Sequence, residues 1–109
     1  MTVGELAKVL SLEPLAVPAE EREINGVYIG DLLSWVMGRA ESGNVWITIM
    51  SNVNIIAVAS LADVACILLA EGVTLEENVR QTAEQKGINV YSSPKTAYEL
   101  AARLADLLK

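Results

Sequence analysis

Residues 54–72, NIIAVASLADVACILLAEG, are almost unbroken apolar text, with one acid at Asp63 before the closing Glu71-Gly72. A membrane-spanning helix needs about 20 predominantly apolar residues, and an ionisable group near its middle is costly. The stretch therefore reads as two soluble elements. Val53, Ile56, Ala57, Leu61 and Val64 recur at helical spacing and define one helix face. From Val64 to Ala70 the apolar residues become continuous, as in a strand covered on both faces of a parallel sheet. Asp63 marks the turn between the two.

The same alternation extends to either side. NVWITIM, residues 44–50, is β-branched and aromatic, with Gly43 before it and Ser51-Asn52 after it, and reads as a strand feeding the helix. Downstream, TLEENVRQTAEQKG opens on Thr74 with Glu77 three residues on, a capping-box spacing that predicts a helix ending at Lys86-Gly87, with Leu75, Val79 and Ala83 as its apolar stripe. INVY, residues 88–91, is a short strand. A last helix follows Ser92-Ser93-Pro94, with Pro94 in its first turn and Ala97, Leu100, Ala101, Leu104, Leu107 and Leu108 on one face. Upstream, Thr2 and Glu5 cap a first helix whose face is Val3, Leu6, Ala7 and Leu10. PLAV is a short edge strand and AEER a charged loop. EINGVYIG is a strand loosened at Gly26, and DLLSWVMGRA is a helix capped by Gly30 or Asp31. Strands alternating with helices imply an α/β fold, a three-layer sandwich with a mostly parallel central sheet, and residues 1–109 read as a single domain.

Composition narrows the function. With 52% hydrophobic residues the chain can bury a core, and a formal charge of −6 without any Lys/Arg cluster argues against nucleic acid and anionic membranes as partners. There is no histidine, which removes the usual general base near neutral pH and the commonest metal ligand. No P-loop, nucleophile elbow or CxxC occurs. These absences predict a non-enzyme without cofactor or metal. The single cysteine, Cys66, lies in the apolar run, where a buried unreactive thiol is expected, and together with the lack of a signal peptide this suggests a cytoplasmic location.

Parallel sheets take their ligands beyond the carboxyl ends of the strands, at loops and helix N-termini. Three such loops are expected here: Met50–Asn54, Ala70–Thr74 and Ser92–Thr96. Their candidate ligand-binding residues are Ser51, Asn52, Asn54, Gly72, Thr74, Ser92, Ser93, Lys95 and Thr96, offering hydroxyls, amides, backbone N–H groups and one cation to an anion. Many of these residue types also cap helices without binding anything. An enzyme would have to pair Asp31 or Asp63 with Lys95. A protein-interaction module would use Trp35, Val36 and Met37, or the Ala/Leu face of the last helix, to form a homodimer.

The order of an opening helix, EINGVYIGDLLSWVM, GNVWITIMSNVNIIAVASLADVACILLAEG and KGINVYSSPKTAYELAARL resembles the DRTGG domain. That module is similar to the N-terminal domain of bacterial HPr kinase/phosphorylase and occurs beside CBS domains. Where relatives carry a Gly-Asp-Arg-type loop, this chain has Ser51-Asn52-Val53. Where they have Thr-Gly-Gly it has Ala70-Glu71-Gly72, and where they have Asp-Thr it has Lys95-Thr96. The resemblance implies the HPr kinase N-terminal fold without that enzyme's separate P-loop domain. Its implied function is a non-catalytic regulatory module that senses a small anionic ligand, a nucleotide or phosphorylated metabolite, or else serves as a dimerisation module without one.

Overall fold

In the computed structural model, which describes residues 1–109, the chain runs α1 (Val3–Leu10), β1 (Glu13–Ala16), β2 (Gly26–Ile29), α2 (Leu33–Arg39), β3 (Asn44–Thr48), α3 (Asn54–Ala62), β4 (Cys66–Leu69), α4 (Glu77–Lys86), β5 (Val90–Ser92) and α5 (Ala97–Leu107). The expected α/β architecture is present. One five-stranded sheet has the order β1-β5-β4-β3-β2, parallel throughout except for β1, which pairs antiparallel with β5.

Side-chain alternation along the strands builds two cores. Trp46, Ile67, Leu69 and Val90 point to the face covered by α2, α3 and α4, whereas Val45, Ile47, Cys66, Leu68 and Tyr91 point to the face covered by α1 and α5. Strands buried on both sides explain why residues 64–70 are apolar without interruption. Cys66 is one of these buried side chains, and burial pushes its thiol up to about 12. No helix is long and apolar enough to cross a membrane.

Several boundaries and faces differ from the expectation. α3 turns Ile55, Ile56, Val58 and Ala59 to the core, while Val53, Ala57 and Leu61 face solvent. A helix this apolar satisfies a helical periodicity on more than one face, and packing of the bulky Ile55-Ile56 pair against the core selects among them. Val64 is buried but lies beyond the helix, because Asp63 adopts the left-handed conformation and ends it. α4 starts at Glu77 behind Glu76, with no side-chain cap, so Thr74 is not its cap; Leu75 is already in the core ahead of the helix. β5 is Val90–Ser92, later than INVY. Pro94 precedes the α5 cap, Thr96, instead of sitting in the first turn. The expected capping box Thr2–Glu5 is formed, and a second one that was not expected, Thr96–Glu99, starts α5.

Candidate functional site

β2, β3, β4 and β5 lie in sequence order with α2, α3 and α4 on one face, so successive right-handed crossovers place all three helices on the same side. α5 breaks that pattern. The chain leaves β4 toward one face and β5 toward the other, and in parallel sheets such a divergence is where a ligand crevice opens. The three expected loops lie at this carboxyl edge, and the second and third of them are bonded to each other.

The divergence is stitched shut. Glu71 N–H donates to Lys95 O at 2.9 Å, Gly72 N–H to Ser93 O at 2.8 Å, and Ser92 Oγ to Val73 O at 2.6 Å. Ser92 and Ser93 are buried, and Ser93 Oγ accepts the Lys95 N–H at 3.2 Å. These two serines therefore hold the loops to each other. Thr96 is occupied as the α5 cap, where its hydrogen bonds hold the Glu99 carboxyl below the usual range. Gly72, Thr74 and Lys95 remain exposed, and the Lys95 ammonium has no ion-pair partner.

The first loop is more open. Ser51, Asn52 and Asn54 are exposed, and Asn52 Oδ1 accepts the Asn54 N–H at 2.9 Å. α3 has no side-chain cap at Val53 and no acid in its first turn, unlike α1 and α5. Beside it, Asp31 does not cap α2, whose cap position is Leu32. Instead Asp31 Oδ1 accepts from Thr48 Oγ1 at 2.7 Å and from Ile49 N–H at 3.1 Å, tying the β2 exit to the β3 exit. A cavity of about 400 Å³ between α3 and α4 includes Asn54, and a smaller one of about 260 Å³ along α5 includes Lys95. Neither joins the three loops.

Asp63 sits at the opposite, amino edge of the sheet, which separates it from Lys95 and removes that catalytic pairing. There Arg22 reaches Asp63 Oδ1 at 3.0 Å and Asp63 O at 2.8 Å, while Ser42 Oγ donates to Asp63 Oδ2. The cluster anchors the loop before β2 and holds Asp63 in its left-handed conformation. Nothing local in the sequence marks it, because its members are far apart along the chain. The Ser42 hydroxyl and then the Arg22 guanidinium hold the Asp63 carboxyl below its ordinary 3.8. A depressed folded-state pKa contributes stability that is present above the ordinary value and lost as pH falls through the folded one. Urea denaturation at a series of pH values should therefore show the advantage of wild type over Asp63→Asn shrinking below about pH 4. A gap that stays constant to pH 2 would contradict the linkage.

The profile described as "DRTGG domain" matches residues 5–107. The chain belongs to the DRTGG domain family. No curated protein sequence matches it. Among solved structures it is similar to the CBS and DRTGG domains of the regulatory region of Clostridium perfringens pyrophosphatase, complexed with the activator diadenosine tetraphosphate. The TM-score is 0.70 at 16% identity, over 94% of this chain and 45% of that one. At that identity the likeness establishes the fold, and this chain spans less than half of the neighbour's length. The neighbour is a CBS–DRTGG regulatory region, not the N-terminal domain of HPr kinase.

In this DRTGG domain both Glu71 (φ 62°) and Gly72 (φ 73°) are left-handed, matching the two glycines of the family's Thr-Gly-Gly. A side chain in that conformation costs about 1–2 kcal/mol, offset in part by the greater unfolded-state freedom of glycine. Glu71→Gly is expected to stabilise the domain by about 0.5–1 kcal/mol. A lower urea midpoint would show that the glutamate side chain contributes more than its backbone strain costs.

Proposed function

We propose that this DRTGG domain is a non-catalytic regulatory module that responds to a small anionic ligand, a nucleotide or phosphorylated metabolite, at the carboxyl edge of its sheet. The observation that carries the reading is the divergence of the chain after β4 and β5. The loops there are joined by a few hydrogen bonds, with the unpaired Lys95 ammonium beside them. The N-terminus of α3 supports it, since it is exposed at Val53 and Asn54 and carries no acid in its first turn, and the helix dipole there favours an anion. So does the neighbour, a regulatory region whose complex contains an anionic dinucleotide activator.

Binding would shift the equilibrium between the stitched loops and an opened arrangement, and a partner sensitive to that edge would read the change. The test is a thermal-shift and calorimetric series with ATP, diadenosine tetraphosphate, acetyl phosphate and sugar phosphates, on wild type and Lys95→Ala. One of these ligands should raise the melting temperature by mass action, and Lys95→Ala should weaken it roughly 5–30-fold, as for one charge-assisted contact of about 1–2 kcal/mol. Absence of binding by every ligand at millimolar concentration would sink the sensor reading.

A second reading is a self-associating module. Trp35 and Met37 on α2 are 52% and 48% exposed, whereas Val36 between them is core. Such half-exposed apolar side chains favour association with a second copy. This reading survives failure of the ligand series, and a mass that rises with protein concentration supports it.

A further inference from the structure

The two edges of the sheet are unequal. β1 carries Glu13, Pro14 and a register irregularity between Pro14 and Ala16, and the adjacent Val17 N–H is taken up by Glu84 Oε1. Charge, proline and bulge are the devices that keep an edge from pairing with another strand. β2, Gly26-Val27-Tyr28-Ile29, has none of them and pairs only with β3.

The outward backbone groups on β2 can be identified. Gly30 N–H donates to Ile47 O at 3.2 Å, so by the two-residue alternation of a parallel ladder Gly26 and Tyr28 also face β3. The N–H and C=O groups of Val27 and Ile29 then point away from the sheet, where no strand meets them. Beside this edge a groove of about 350 Å³ runs between β2 and α5, walled by Val27, Ile29, Ala101, Ala105 and Leu108, and no ionisable residue lines it.

We propose that β2 is a pairing edge for a second copy of this chain, the two β2 strands running antiparallel about a two-fold axis. The inference rests on the self-association reading but moves its contact from Trp35 and Met37 on α2 to the β2 edge, and it is independent of the sensor reading. Centred on Tyr28, the register sets Val27 of one copy opposite Ile29 of the other, twice, with each pair exchanging both of its N–H···O bonds. The two Tyr28 side chains meet across the non-hydrogen-bonded position, and the same patch serves both copies, as an isologous contact requires.

Charge argues for this occupant. The chain carries −6, so two copies repel over most of their surfaces, but GVYI and the adjoining groove bring no charge to the contact. Area sets the strength. A four-residue strand and its groove offer less than the roughly 800 Å² per partner of a standard interface, which places the dimer among weak, concentration-dependent ones.

The experiment is sedimentation velocity from micromolar to submillimolar concentration, with amide hydrogen exchange of wild type at both ends of that range. Wild type should shift from monomer to dimer, with exchange at Val27 and Ile29 slowing as it does. Ile29→Lys, which places a charge on the edge, should remain monomeric with an unchanged melt. Val9→Lys, at a comparably exposed residue on α1, should still dimerise. A wild type that is monomeric throughout would overturn this face and the self-association reading together. A dimer that forms while exchange at Val27 and Ile29 stays fast, or that persists in Ile29→Lys, would overturn this face alone.

Discussion

Trp46→Ala is expected to remove about 3–5 kcal/mol of stability, from a total that for a domain of this kind is about 5–15 kcal/mol. Trp46 is fully buried in a strand with neighbours on both sides, and its ring fills the core beneath α2 and α3. Its Nε1–H donates to Gly30 O at 2.9 Å, so the same residue joins β3 to the turn that starts α2. Truncation removes transfer energy, opens a cavity that the β-sheet cannot collapse, and leaves the Gly30 carbonyl without its partner. Urea denaturation should show a midpoint lower by about 2 M with little change in slope. Trp46→Phe, which keeps most of the volume, should recover more than half of the loss. A truncation cost under about 1 kcal/mol would mean that the core repacks far more freely than close-packed interiors do.

Asn89→Asp should be about as damaging, for an electrostatic reason. The Asn89 side chain is 3% exposed and fully used: Oδ1 accepts the Ala19 N–H at 2.9 Å, and Nδ2 donates to Ala19 O at 2.8 Å and Ala65 O at 3.0 Å. Replacing the amide nitrogen with an oxygen sets a carboxylate against two carbonyl oxygens in a buried site. The expected cost at neutral pH is about 3–5 kcal/mol, the range for an unpaired buried charge. Asn89→Ala, which loses the bonds but adds no charge, should cost about 1–3 kcal/mol. The sign with pH follows from burial. The new carboxyl has its folded pKa raised, so its penalty is full above that value and shrinks as pH falls toward protonation. The gap between Asn89→Asp and wild type should narrow between about pH 7 and pH 4, because the chain with Asp gains on the chain with Asn as pH falls, whereas at position 63 the chain with Asp loses its advantage. A gap that is independent of pH would mean that the site admits water.

Both predictions concern residues that tie distant segments together, and such ties divide what was legible in the chain from what was not. The capping box at Thr2 could be read directly, because it is completed by a residue three positions away, whereas placing Pro94 inside the last helix hides the Thr96–Glu99 box. Thr74 has the same spacing to Glu77 and forms no cap, since Leu75 is drawn into the core ahead of the helix. A local motif is only an offer, and tertiary packing can refuse it. The helix face at residues 53–61 failed for a related reason. Where nearly every residue is apolar, periodicity does not discriminate, and shape against the sheet selects Ile55, Ile56, Val58 and Ala59.

The candidate site divides in the same way. That three loops gather at one sheet edge follows from strand–helix alternation alone. That Ser92 and Ser93 turn inward and sew the second loop to the third depends on hydrogen bonds between segments some 20 residues apart. Asp31 and Asp63, equivalent as lone acids in the sequence, end at opposite edges of the sheet with different partners.

By itself, then, the sequence determined the α/β class, the parallel core, the element order and the burial of Cys66, because hydrophobic period and run length are local quantities set by neighbouring residues. Tertiary structure alone decided which helix faces are covered, which polar groups are consumed and which edge of the sheet is left open. Those outcomes depend on contacts between segments far apart in the chain, where shape complementarity and the pairing of buried polar groups select among arrangements that the local pattern leaves equal.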